Sequence, residues 1–262
     1  MRHRTLALGA VAVVALILVV QVGARPQGAI TVRVTSSGGQ TVVRTVAAQT
    51  GETVATQRLA GTFRLPVVVR GVREGLSVDQ STIVLQGAVG AKSSTFAVLA
   101  SSLDRPPRIV TLAGRFDYDA LSPDGRLLYL TQMLPGEDGR YLVRVYSLTK
   151  QRLLAQPVVE KGEEPGPMAG YAVARVSSGY DGWVYTAYRG GHEGPFIHAL
   201  QTRARAAACI ELRPHDPHER AGDRFWQLRF ADDGRTLVAT NPKTGARVSV
   251  DLSQGWPAPI PG

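Results

Sequence analysis

A short phrase with one grammar returns four times along this chain, and it restricts the fold more than any other feature. It reads Gly75-Leu-Ser-Val-Asp-Gln-Ser-Thr-Ile-Val-Leu85, then Ala120-Leu-Ser-Pro-Asp-Gly-Arg-Leu-Leu-Tyr-Leu130. It comes back as Arg175-Val-Ser-Ser-Gly-Tyr-Asp-Gly-Trp-Val-Tyr185 and as Arg229-Phe-Ala-Asp-Asp-Gly-Arg-Thr-Leu-Val238. Each copy predicts a short strand, a tight two-residue Asp-Gly-like turn and a second apolar strand. Glycine enters the positive-φ corner of such a turn without steric cost. One hairpin cannot bury its own apolar face, so repetition predicts units that stack on their neighbours. The anchors Gln80, Gly125, Gly182 and Gly234 lie 45, 57 and 52 residues apart. These intervals bracket the ~40–50-residue unit of four-stranded blades, with loop insertions in the longer ones.

The remainder of each unit fits that scheme. Third strands are predicted at 95–100, 141–148, 195–200 and 246–252, and fourth strands at 108–112, 152–158 and 205–212, all rich in β-branched and aromatic residues. The last unit stops after its third strand, at the Pro-rich tail 253–262. Strand-like segments at 30–35, 40–47 and 53–59 precede the first unit, which predicts that N-terminal strands complete the last one and remove an exposed sheet edge.

Leu121-Ser-Pro-Asp-Gly-Arg-Leu-Leu-Tyr-Leu-Thr131 and Phe230-Ala-Asp-Asp-Gly-Arg-Thr-Leu-Val-Ala-Thr240 resemble the repeat of the YVTN and TolB-type bacterial β-propellers, relatives of WD-repeat propellers. The resemblance covers most of residues 60–252. It implies an all-β fold, a small β-propeller of about five four-stranded blades, preceded here by one N-terminal hydrophobic helix. It implies little about activity, since such propellers serve as binding platforms, assembly factors and enzymes.

The expected domains are a signal peptide or transmembrane signal anchor at 1–24, the propeller at 25–252 and the C-terminal tail at 253–262. Met1-Arg-His-Arg is a basic start, and Leu6 to Val20 is an unbroken apolar run. Val22-Gly23-Ala24 suits cleavage, yet 20 residues from Thr5 to Ala24 also suffice to span a bilayer. Either outcome predicts an extracytoplasmic location, as a secreted protein or a single-pass membrane protein with its N-terminus in the cytoplasm. Cys209 is the sole cysteine, so no intramolecular disulfide forms, and its place in an apolar strand predicts a small buried side chain.

The net charge of +9 does not mark a nucleic-acid protein. Four lysines (Lys92, Lys150, Lys161, Lys243) leave 26 of the 30 basic residues as arginine. They are scattered through strands and turns rather than interleaved with aromatics as a stacking groove requires. A mild attraction to anionic surface polymers or lipid headgroups remains, without specificity.

In an up-and-down four-stranded unit the b–c and d–a connections share one face, and here those connections are the long ones. They carry the binding-face candidates Glu137, Asp138, Glu163, Glu164, His192, Glu193, His215, His218 and Glu219. Imidazole and carboxylate ligands make His215 and His218 candidates for a divalent metal, although no established spacing matches. Asp117 and Asp119 form a second candidate pair, since alternation puts both on one side of a strand. No catalytic residue is assigned and no cofactor is expected beyond that metal. The function expected is a non-catalytic binding or scaffolding module, exported and membrane-tethered, for a protein or cell-envelope partner. The alternative is a propeller-type hydrolase or lyase with a divalent metal site.

Overall fold

The computed structural model describes residues 28–260, apart from 137–138, 161–165, 180, 192–193 and 213–221. The expected N-terminal helix lies outside the described residues, and among those described no helix is long and apolar enough to cross a membrane.

The chain begins with a three-stranded meander, β1 (Ile30–Ser37), β2 (Gln40–Ala47) and β3 (Thr53–Ala60). Gly38 and Gly39, both at positive φ, make the two-residue turn between β1 and β2. A small hairpin follows, β4 (Val67–Val69) with β5 (Val72–Arg73). The first repeat unit then opens with an extended segment at 74–78 that bonds along β6 (Thr82–Val89), with Val84 N–H donating to Gly75 and Ser77 N–H to Thr82. β7 (Ser93–Ala100) and β8 (Arg108–Ala113) complete it.

The second unit runs β9 (Phe116–Leu121), β10 (Leu127–Met133), β11 (Arg140–Ser147) and β12 (Arg152–Leu153), with β13 (Met168–Ala169) added to the far end of β11. The third is β14 (Tyr171–Ser177), β15 (Trp183–Gly191), β16 (Gly194–Gln201) and β17 (Ala206–Glu211). The fourth is β18 (Gln227–Phe230), β19 (Thr236–Thr240), β20 (Arg247–Asp251) and β21 (Ala258–Pro259).

Two expectations are corrected here. The N-terminal strands do not complete the last unit: the tight Gly-Gly turn lets them pair with one another. The last sheet takes its fourth strand from the C-terminal tail, where Ala258 and Pro259 sit at the sheet edge. Proline's missing N–H costs nothing there.

The hairpin loops are also longer than two residues. Ser122 N–H bonds Leu127 and Gly125 N–H bonds Ser122, so four residues cross the turn. The first and fourth copies match, with Ser77 on Thr82 and Ala231 on Thr236. Ser122 Oγ donates to Asp124 at 2.6 Å while accepting from Leu127 N–H at 2.9 Å, and Ser77 with Asp79 and Thr82 does the same.

Apolar side chains are buried on both faces of the middle sheets, which is why their strands read as nearly continuous apolar runs. Leu128 and Leu130 pack toward the first unit with Val84, Phe96 and Tyr118. Tyr129, between them, packs toward the third unit with Val184 and Leu200, and its hydroxyl donates to Thr202 at 2.7 Å. Ile197, Leu237 and Val250 join the third unit to the fourth. Val43 and Leu59 of the N-terminal sheet cover Ile83, Leu85 and Leu99 of the first unit.

Candidate functional site

The innermost strands of the units converge on a buried ion cluster that no single segment of sequence announces. Glu74 and Asp119 hold the same repeat position, one residue ahead of Gly75 and Ala120. Arg175, one position further along its own copy, meets both. Its Nε donates to Glu74 Oε1 at 2.6 Å and its Nη2 to Oε2 at 3.1 Å, a bidentate clamp. Its Nη1 donates to Asp119 Oδ1 at 2.9 Å and to Thr186 Oγ1 at 2.8 Å, and Nη2 also reaches the Asp119 carbonyl. The guanidinium is 1% exposed, against 3% for the Asp119 side chain and 23% for Glu74. Burial opposes its charge, but Glu74 and Asp119 more than offset this and hold it ionised far above the ordinary range.

A β-bulge puts Asp119 there. Leu130 pairs with Tyr118 and Tyr129 with Ala120, so Asp119 is the extra residue of β9. The bulge divides the expected Asp117–Asp119 pair. Asp117 turns to Gln86 of the first unit at 3.1 Å and to Arg115 at 3.6 Å, whereas Asp119 is bound to the third unit. The two carboxylates thus have different neighbours. Oδ2 of Asp119 is buried and accepts no bond from a described group.

Around the cluster, burial and the neighbouring Glu74 carboxylate push the Tyr118 hydroxyl well above its usual 10. Burial also lowers the imidazole of His198, which stands across β15 and β16 from Arg175 through Thr186.

Above Glu74 lies a cavity of ≈ 350 Å³. Its walls are largely apolar, with Leu76, Leu121, Trp183 and Val184 among them, and Ile30 to Val32 of β1 form one side. Pro123, Gly179 and Gly182 also line it, so it opens among the a–b turns. Glu74 is the carboxylate of this cavity, and Arg73 its exposed cation. This is the end of the units opposite the one at which β10 meets β11 and β15 meets β16.

Glu137, Asp138, Glu163, Glu164, His192, Glu193, His215, His218 and Glu219 all lie outside the described residues. Among the described residues no three His, Cys, Asp or Glu side chains converge as a metal site. Cys209 is exposed, not buried, because β17 is the outer strand of its sheet.

No protein-family model matches the chain, and no curated protein does. Solved structures do. Dihydro-heme d1 dehydrogenase NirN, in complex with DHE, is 15% identical with a TM-score of 0.51, over 89% of this chain and 44% of that one. The chain is a β-propeller. TolB from Acinetobacter baumannii is similar at 12% identity and a TM-score of 0.46, over 86% of this chain and 52% of that one. The Pseudomonas aeruginosa periplasmic gluconolactonase PpgL is similar at 16% and 0.44, over 88% and 66%. This propeller thus spans about half the length of the first two. At such identities the likeness speaks for the fold alone, and the Ser122-Pro-Asp-Gly125 and Ala231-Asp-Asp-Gly234 hairpins carry the TolB/YVTN-like resemblance.

Proposed function

We propose that this propeller is an exported binding module whose ligand or partner segment enters the channel cavity among the a–b turns. In this reading it has five units, the N-terminal sheet being the first, and the apolar run at 6–20 directs it out of the cytoplasm. The observation that carries the proposal is the clamped floor of the cavity. The bidentate bond to Arg175 fixes the orientation of the Glu74 carboxylate, and Glu74 itself lines the space above. Fixed acceptors beneath apolar walls recognise a donor group on a largely apolar ligand. A partner protein or cell-envelope component presenting such a group fits this site.

In-cell crosslinking of the tagged full-length chain tests the reading, with three proteins compared. Wild type should capture a defined partner. Thr31→Trp, which narrows the mouth from the exposed side of β1, should lose it. A variant with Glu163, Glu164, Glu193 and Glu219 changed to Ala should retain it. Loss in the loop variant with retention in Thr31→Trp would move the binding face to the long loops. Capture of nothing by wild type would remove the binding-module reading.

A further inference from the structure

The outward face of the N-terminal sheet concentrates charge that the sequence presents as scattered. Between residues 28 and 73 stand six arginines (Arg33, Arg44, Arg58, Arg64, Arg70 and Arg73) and one acidic residue, Glu52. Five of the six are exposed, and Arg44 is half-buried. The sheet's register gathers three of them. Arg33 lies directly opposite Arg44, and Arg58 stands opposite Val42, one row along the same face. The alternate residues Val43 and Leu59 point the other way, into the first repeat unit.

Like charges directly opposite on adjacent strands oppose sheet formation. Among the described residues no carboxylate pairs with any of the three. Nor does any of the four apolar clusters join this face to another sheet. Val46, two residues along β2 on this same face, is buried, so the open and basic part of the face is the stretch at Arg33, Arg44 and Arg58.

Its place in the chain selects what it meets. Five residues, and so six Cα–Cα steps, separate Ala24, the end of the apolar N-terminal segment, from Ile30, the first residue of β1. Fully extended they reach at most about 20 Å. If the segment at 6–20 holds the chain in a bilayer, the start of this sheet is the part of the fold kept within two Debye lengths of the lipid surface. Near an anionic surface each basic side chain adds to the attraction. We propose that the Arg33–Arg44–Arg58 face docks on an anionic lipid surface. Docking fixes the orientation of the propeller on the membrane instead of leaving it free on a tether. The inference rests on retention of the N-terminal segment, which the same experiment reads separately.

The full-length chain, with Cys209→Ser and an environment-sensitive fluorophore on Thr56→Cys beside Arg44, is placed in nanodiscs. One set is neutral phosphatidylcholine and the other contains phosphatidylglycerol. Co-purification with neutral discs reports the tether. The fluorophore should shift to the blue and lose access to iodide on anionic discs only. Molar salt should reverse the change, as should Arg33, Arg44 and Arg58 changed together to Gln. Equal emission on both discs would overturn the docking while leaving the tether intact. A shift on neutral discs caused by soluble polyphosphate, with none on anionic lipid, would overturn it in favour of a polymer partner. Failure to co-purify with either disc would overturn its premise.

Discussion

Arg175 converts two repeat-equivalent carboxylates into one cross-unit bond, and its side chain has no donor to spare. Its replacement by Met leaves Glu74 and Asp119 without their cation, the second of them deep in the core. Breaking a buried pair in this way costs about 3–5 kcal/mol. Arg175→Lys should recover little of it, because an ammonium cannot reproduce the fork that holds Glu74 bidentately. Urea unfolding measures both, and a loss below ~1 kcal/mol for Arg175→Met would show that the cluster is not an organising contact. His198 sets the acid side of stability. Its folded-state pKa is depressed below 6.5 by burial, with Asp119 and Glu160 pulling upward and Arg175 downward. The unfolded chain therefore binds more protons between the two values. The neutral form's contribution is complete above pH 6.5 and shrinks as pH falls toward the folded value. Urea midpoints should drop between pH 7 and 5, and His198→Gln should flatten that slope. Neither residue stood out in the sequence. In an arginine-rich chain one more arginine reads as surface, although its place where other copies have Gly75 and Ala120 was the available signal.

At the scale of the element, the hairpin loops and their neighbours determine the register of the units. Gly125 and Gly234 share a φ of +64°, but their surroundings differ. A Cβ on Gly125 would come within 2.4 Å of Thr82 Oγ1 in the preceding unit, whereas one on Gly234 meets open space. Gly234→Ala should cost only the left-handed backbone term, about 1–2 kcal/mol. Gly125→Ala should cost clearly more, and equal thermal shifts would deny that adjacent turns are packed together. Strand positions were legible because β-branched runs broken by Gly and Asp specify them locally. The bulge at Asp119 was not, since alternation has a period of two and carries no mark where a strand gains one residue. The pairing of the first and last strands was misread for a related reason. Which edge a strand joins depends on the turn beside it, and Gly38-Gly39 makes the local partner the easiest to reach.

Across the whole molecule, cohesion comes from apolar layers between successive sheets. The N-terminal sheet caps the first repeat unit through Val43 and Leu59 on Ile83, Leu85 and Leu99. Removing residues up to 60 should expose that layer, giving dye binding to apolar surface and a lower unfolding midpoint. An unchanged midpoint would make the sheet an appendage rather than part of the core. The propeller architecture was readable from the four-fold phrase. The cavity was not, since its lining comes from β1 and three units far apart in sequence. One bond between the units also bears on the order in which the chain becomes native. Glu74 leaves the ribosome 101 residues ahead of Arg175, and Asp119 leaves 56 ahead. At ~5–20 residues per second the first carboxylate waits about 5–20 s for its cation. Until then both carboxylates lack the partner that joins them. Arrival of the third unit, rather than completion of the first two, sets the earliest moment at which the centre can close.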